Sequence, residues 1–164
     1  MYVLVNRSLS SMQKGIQAAH AMIEYALKYK DDKEYLDWAQ NWKTVIILDG
    51  GTSNEKLVKT SLLKEVESLN WIGNMENHFS LLKEKGINIA KFYEPDINDC
   101  LTAICFIVDE KVFNKEKYPD FMFPAILGTD DLSLSDEKYL NWCNLIGNQN
   151  IFLRDFLKQF KLAI

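Results

Sequence analysis

Cysteine is scarce in this chain. Cys100, Cys105 and Cys143 form an odd set with no C-x-x-C spacing, which excludes a disulfide framework and fits buried thiols in a reducing compartment. Histidine is scarcer still: His20 and His78 stand in neither an H-E-x-x-H nor a Cys/His pattern, so the sequence offers no metal site and no cofactor signature. Basic residues do not predominate, since 19 Lys and Arg against 23 Asp and Glu give a formal net charge of −4. That balance departs from the basic stripe of proteins that grip nucleic acid by its phosphates. No apolar run approaches the ~20 residues that span a bilayer. Met1 leads straight into Tyr2-Val3-Leu4-Val5 without a basic leader or cleavage site, so the expectation is a cytoplasmic protein with no membrane partner. Repeats and low-complexity tracts are also missing. What is present is 164 residues of 48% hydrophobic composition, enough for one domain with its own core.

The chain divides by periodicity. Tyr2 to Val5 is a short apolar run that reads as a strand buried on both faces. Capping hydroxyls from Ser8 to Ser11 precede a helix expected over Met12 to Tyr29, with Met12, Ile16, Ala19, Ile23, Ala26 and Leu27 as its core stripe. Lys30 to Asn41 reads as a short helix or loop, and Thr44 to Leu48 as a second strand. Asp49-Gly50-Gly51-Thr52-Ser53 is turn chemistry opening a helical region with apolar Leu57, Leu62, Leu63, Val66 and Leu69. A further helix over Met75 to Lys85, with Phe79 and Leu82 inward, should close on a left-handed Gly86. Strands follow at Ile87 to Tyr93 and Leu101 to Val108, joined by the acidic turn Glu94 to Asp99. The order β-α-β-α-β-β predicts an α/β fold with a mixed four-stranded sheet whose last two strands are antiparallel. Residues 111–164 read as a helical extension packed on the same domain: an aromatic loop Tyr118 to Phe123, a helix capped by Ser135 and ended by Gly147, and a last helix over Ile151 to Leu162. The Phe152, Phe156, Phe160 stripe of that helix reads as core or as a surface for a second copy.

Three segments carry a family resemblance. The opening strand and Asn6-Arg7-Ser8-Leu9 lead into Gln17-Ala18-Ala19-His20-Ala21. Gly86-Ile87-Asn88-Ile89-Ala90 returns to the sheet, and Glu94-Pro95-Asp96-Ile97-Asn98 precedes Leu101-Thr102-Ala103-Ile104. In this order residues 1–110 resemble the type 2 peptidyl-tRNA hydrolase family, and look similar to a compact, divergent branch of the kind also carried by phages. The resemblance implies a four-stranded mixed sheet flanked by helices and hydrolysis of the ester joining a peptide to tRNA. It also implies a lysine one turn before the helix glutamine, an acidic residue and a threonine near the final strands. Position 13, where the family pattern has that lysine, holds Gln13, and Lys14 follows it.

Spacing adds a site to the resemblance. Gln13, Gln17, His20 and Glu24 follow steps of four, three and four, a polar stripe beside the expected core stripe. The Asn6-Arg7 turn and the Asp96 turn should converge on it. Ester hydrolysis needs a positioned water, a proton acceptor and donors for the oxyanion. His20 or Asp96 would serve as base, with Gln17, Thr102 and Lys14 orienting substrate or stabilising charge. Each has a plain structural alternative: a hydrogen-bonded His20, a Gln17 helix-to-loop bond, a solvated Lys14, an Asx-turn at Asp96, an ordinary strand residue at Thr102. With catalysis removed, Arg7, Lys14 and helix amides would suit a small nucleotide-like or phosphate-bearing ligand. A protein-interaction module built on the aromatic loop is a third reading.

The glycines of Asp49 to Asn54 lack Walker spacing and read as a turn with a cap. Arg154, Lys158 and Lys161 read as a solvated basic edge.

Overall fold

The computed structural model describes residues 1–53, 74–122 and 132–163. Two compact units emerge. One comprises Met1–Ile107 together with the stretch from Phe160, and the other Val108–Gln159. The helical region expected around Leu57 to Leu69 lies outside the described residues.

The first unit is the expected α/β fold, a mixed four-stranded sheet with helices around it. Its elements are β1 (Tyr2–Val5), α1 (Ser11–Lys28), α2 (Lys33–Asp37), β2 (Ile46–Asp49), α3 (Asn74–Glu84), β3 (Ile89–Glu94) and β4 (Cys100–Phe106). A π-turn, Trp38–Trp42, follows α2 and ends on Lys43 at φ 52°. The sheet runs β2-β1-β4-β3, with β1 parallel to β2 and antiparallel to β4, and β3 antiparallel to β4. The two central strands are the most apolar segments, and Val3, Leu4, Val5, Ala103, Ile104, Cys105 and Phe106 are fully buried. Full burial of each large side chain contributes about 1.5–3 kcal/mol relative to exposure. Gly86 ends α3 at φ 72°, and the Ile87 amide returns to the Leu82 carbonyl, the left-handed cap that only glycine adopts without strain.

The orientation of α1 overturns the expected core stripe. Lys14, Gln17, Ala18, Ala21 and Tyr25 face inward, while Met12, Ile16, Ala19, Ile23 and Leu27 are exposed. The cause is steric. Ala18 and Ala21 lie against Val3, Val5, Ala90, Ala103 and Cys105, a shallow surface that admits a helix through small residues and leaves no depth for an isoleucine row. Larger inward side chains come in the second half of the helix, where Tyr25 packs with Tyr29, Tyr35 and Trp38.

The end of the chain also departs from expectation. The last helix stops at Phe156 and passes through a 3-10 turn, Leu157–Gln159. Phe160 then packs edge-on against His78, and the backbone pairs with the outer edge of β2: the Asp49 amide donates to the Lys161 carbonyl at 2.9 Å and the Ala163 amide to the Ile47 carbonyl at 3.1 Å. An open edge strand carries unpaired amides and carbonyls. Covering that edge requires extended backbone, which the four-residue phenylalanine spacing does not reveal.

The second unit is helical: α4 (Glu110–Phe113), α5 (Leu132–Ile146) and α6 (Asn148–Phe156). Gly147 at φ 88° ends α5, as its position predicts, but the helix begins at Leu132, ahead of the cap expected at Ser135. Arg154 is its buried hub rather than part of a solvated edge. Its guanidinium donates to the carbonyls of Lys111, Tyr118 and Pro119 and to the Asp120 carboxylate. Among the described residues no helix is long and apolar enough to cross a membrane.

Candidate functional site

One end of the sheet gathers the polar groups. β1, β2 and β3 all finish there and β4 starts there, because β4 runs against both its neighbours. Carboxyl ends of parallel strands are the usual place for ligands in open α/β sheets.

A single extra residue in β4 builds the centre of this end. Phe92 stands opposite Ala103 and Tyr93 opposite Leu101, so Thr102 has no partner on β3. Such a bulge re-aims the inserted side chain. Thr102, fully buried, joins the α1 side, where its hydroxyl donates to Gln17 Oε1 at 2.9 Å and lies 3.3 Å from the Phe92 carbonyl. Gln17 is buried too, and its Nε2 donates to Glu94 Oε2 at 2.5 Å. A buried amide is costly unless both its ends are paired. Thr102 and Glu94 satisfy the two ends of Gln17 and fix the carboxylate in return.

Around this chain of bonds the outcomes differ. His20 is half-buried, its ring edge-on to Phe92 at 4.4 Å, and its Nδ1 is buried with no hydrogen-bond partner among the described residues. Gln13 closes a capping box: its side-chain oxygen accepts from the Ser10 amide at 3.0 Å while Ser10 Oγ accepts from the Gln13 amide at 3.3 Å. Lys14, read from spacing as solvated, is only 8% exposed, a consequence of the rotated helix. Arg7 is exposed and its Nε donates to Asp49 at 2.8 and 3.2 Å. Asp96 sits exposed in the 3-10 turn Pro95–Ile97, and Glu24 is exposed on α1. Gln17 and Thr102 are therefore joined directly, and His20 lies beside them through Phe92. Neither Asp96 nor Glu24 bonds to them.

Two further groups lie at the same strand ends. Asp49 accepts from the Gly51 amide at 2.9 Å as well as from Arg7. Partial burial acts to raise its carboxyl, but the Gly51 amide, the Arg7 guanidinium and the Lys14 charge outweigh this and hold it below the ordinary carboxylate value. Gly51, at φ 83°, makes that turn possible. Beside it Asn6, buried at the end of β1, donates from Nδ2 to Ser53 Oγ at 2.6 Å and lies 3.5 Å from Cys100 Sγ. Ser53 Oγ and Cys100 Sγ are 2.8 Å apart.

In the sequence, Glu94 and Asn6 read only as parts of turns, and nothing there assigns Ser53 and Cys100 a place at the site. The first two end strands as polar residues after apolar runs, the one signal they carry. Ser53 and Cys100 come into place only through the strand order. Among the described residues no three His, Cys, Asp or Glu side chains are grouped to hold a metal ion.

Chemically, the site offers a fixed carboxylate, an exposed guanidinium, a nearly buried ammonium and a small hydroxyl-thiol-amide cluster. No family model matches the chain and no curated protein matches it.

Proposed function

We propose that this end of the sheet hydrolyses a carboxylic ester of the peptidyl- or aminoacyl-tRNA kind, in a cytoplasmic setting that keeps its thiols reduced. The observation that carries the reading is the bonded chain Thr102–Gln17–Glu94. It joins the two helix and strand residues that the sequence resemblance points to and orients a carboxylate at their end. Glu94 is the group best suited to accept a proton from an attacking water, because Gln17 fixes one of its oxygens and leaves the other free of that bond. Arg7 and Lys14 supply positive charge for the oxyanion or the adjoining phosphate. Asp96, in the exposed turn that follows, is suited to contacting substrate rather than to sharing Glu94's bonds.

Incubation with N-acetylaminoacyl-tRNA tests the reading. Free tRNA should accumulate with the intact protein and fall to background with Glu94→Gln and Gln17→Ala. No release at high protein concentration overturns it.

One observation favours a second reading, binding without turnover: Gln17 and Thr102 satisfy one another, leaving Arg7 as the most available donor. In that reading the ligand is small and phosphate-bearing, as a nucleotide is. A thermal shift across a nucleotide panel, reduced by Arg7→Ala and unaccompanied by tRNA release, would select it.

A further inference from the structure

The outward face of α1 is, among the described residues, an exposed apolar row of the first unit that the proposed chemistry does not use. Met12 is 79% exposed, Ile16 47%, Ile23 57% and Leu27 70%. At 100° per residue these four, with Gly15, Ala19 and Ala26, fall in one arc that contains no charged side chain. Gly15 leaves that arc open, since a Cβ built there would meet nothing within 4 Å. The helix is thus apolar on a second side, although its packing against the sheet is already complete through the first. A chain this rich in charge gains nothing in solubility from such a row, and rows of this kind mark interaction surfaces.

We infer that this face pairs with the same face of a second copy, helix against helix and antiparallel. The order of the side chains carries the choice of occupant. Met12 and Leu27 are equidistant from the midpoint between Ala19 and His20, and so are Ile16 and Ile23. A two-fold axis at that midpoint sets Ile16 of each copy against Ile23 of the other and Met12 against Leu27, with small Ala19 where the helices cross. Self-complementarity of this kind is what an isologous two-fold interface requires.

Charge agrees with the antiparallel sense. Antiparallel docking opposes the two helix dipoles, which favours that sense over the parallel one. The exposed apolar area is on the order of 500 Å², below the ~800 Å² per partner of a standard stable interface, which makes this a weak, concentration-dependent dimer.

Sedimentation equilibrium from micromolar to near-millimolar protein tests the inference. The intact chain should pass from monomer to dimer over that range. Ile16→Glu with Ile23→Glu, exposed positions whose replacement leaves the core untouched, should raise the dimer Kd by more than about 30-fold. Ile16→Glu with Ile23→Lys should restore association, because each introduced acid then faces the other copy's introduced base. Ala19→Cys should form an intermolecular disulfide on mild oxidation, while Met12→Cys alone should not. A parent chain that stays monomeric throughout, a dimer that survives the double glutamate, or association equally weak in both charge variants would overturn the inference.

Discussion

Two of the buried polar groups among the described residues, Arg154 in the second unit and Gln17 in the first, are built on opposite plans. Arg154 is enclosed. Its side chain is 3% exposed, and three backbone carbonyls and the Asp120 carboxylate, all from its own unit, take up its donors. Trp142 adds a ring face 5.7 Å away. Gln17 begins from similar burial but leads outward: Thr102 holds one end of the amide and the other end holds Glu94, which is only half-buried at the rim of the sheet. A polar group whose bonds all close within the fold tells of stability. A chain of bonds that ends in a carboxylate at the sheet rim has something left to offer a ligand.

The contrast breaks most visibly at Arg154. Its replacement by methionine takes the donor from the Lys111 and Tyr118 carbonyls and from the Asp120 carboxylate, while the Pro119 carbonyl keeps its bond from Trp142 Nε1 at 2.9 Å. Removing one side of a buried polar set costs about 3 kcal/mol or more. Chemical denaturation should register that loss. Hydrogen exchange should accelerate through α5 and α6 and leave β1 and β4 slow. Loss of less than about 1 kcal/mol would mean that Arg154 is not the second unit's staple.

Thr102→Val comes next. The substitution keeps the shape and the strand and deletes the hydroxyl, so Gln17 Oε1 loses its donor inside the protein, at a cost of about 1–3 kcal/mol. On the proposed function it should also lower the rate of ester release, since Glu94 would no longer be held through a fixed amide. Thr102→Ser keeps the hydroxyl and should recover most of that rate. Equal rates for valine and serine would reduce Thr102 to a strand residue.

Glu94→Gln separates the two plans most sharply for its size. Glutamine still presents an oxygen to Gln17 Nε2, so stability should change by no more than about 1 kcal/mol, while tRNA release falls to background. A structural role alone predicts the reverse pattern, unchanged release with a measurable loss of stability.

These residues also show where sequence reading succeeds and where it runs out. The strands at Tyr2, Ile46, Ile89 and Cys100 were legible because apolar runs between turn residues have few other uses, and Gly86 and Gly147 marked helix ends because left-handed backbone needs glycine. The face of α1 was not legible. The helix bears two stripes at helical spacing, and only the shallow alanine-lined sheet decides that Ala18 and Ala21 go inward and Ile16 and Ile23 outward. Lys14 followed the same rotation, from an expected solvated position to a buried one. Gln17 and Thr102 were legible through the resemblance, yet the bond between them depends on a bulge that shifts register by one residue, below the resolution of periodicity. Asp96 stood out as the acid of a turn motif, whereas Glu94, two residues earlier and less conspicuous, is the one Gln17 reaches. The Asn6–Ser53–Cys100 group spans separations of 47 and 94 residues, and only the strand order β2-β1-β4-β3 brings it together.

The smallest effect concerns acid, and it compares the same two centres. Asp49 beside Arg7 and Asp120 beside Lys115 and Arg154 both have carboxyls held below the ordinary value, Asp49 against a raising effect of burial and Asp120 chiefly through its bond from Lys115. A carboxyl depressed in the folded state stabilises the fold above its unfolded pKa, near 4, and loses that contribution as pH falls through the lower folded value. Melting temperature should therefore be flat from neutral pH to about pH 5 and decline below it. Both pairs are largely solvent-exposed on at least one side, so each contributes well under about 1 kcal/mol. Asp49→Asn and Asp120→Asn should each flatten part of the decline, and only Asp49→Asn should also alter ester release or nucleotide binding, because Asp49 orients Arg7 at the open centre while Asp120 serves the closed one. Equal effects of the two substitutions on ligand behaviour would erase the distinction between the centres.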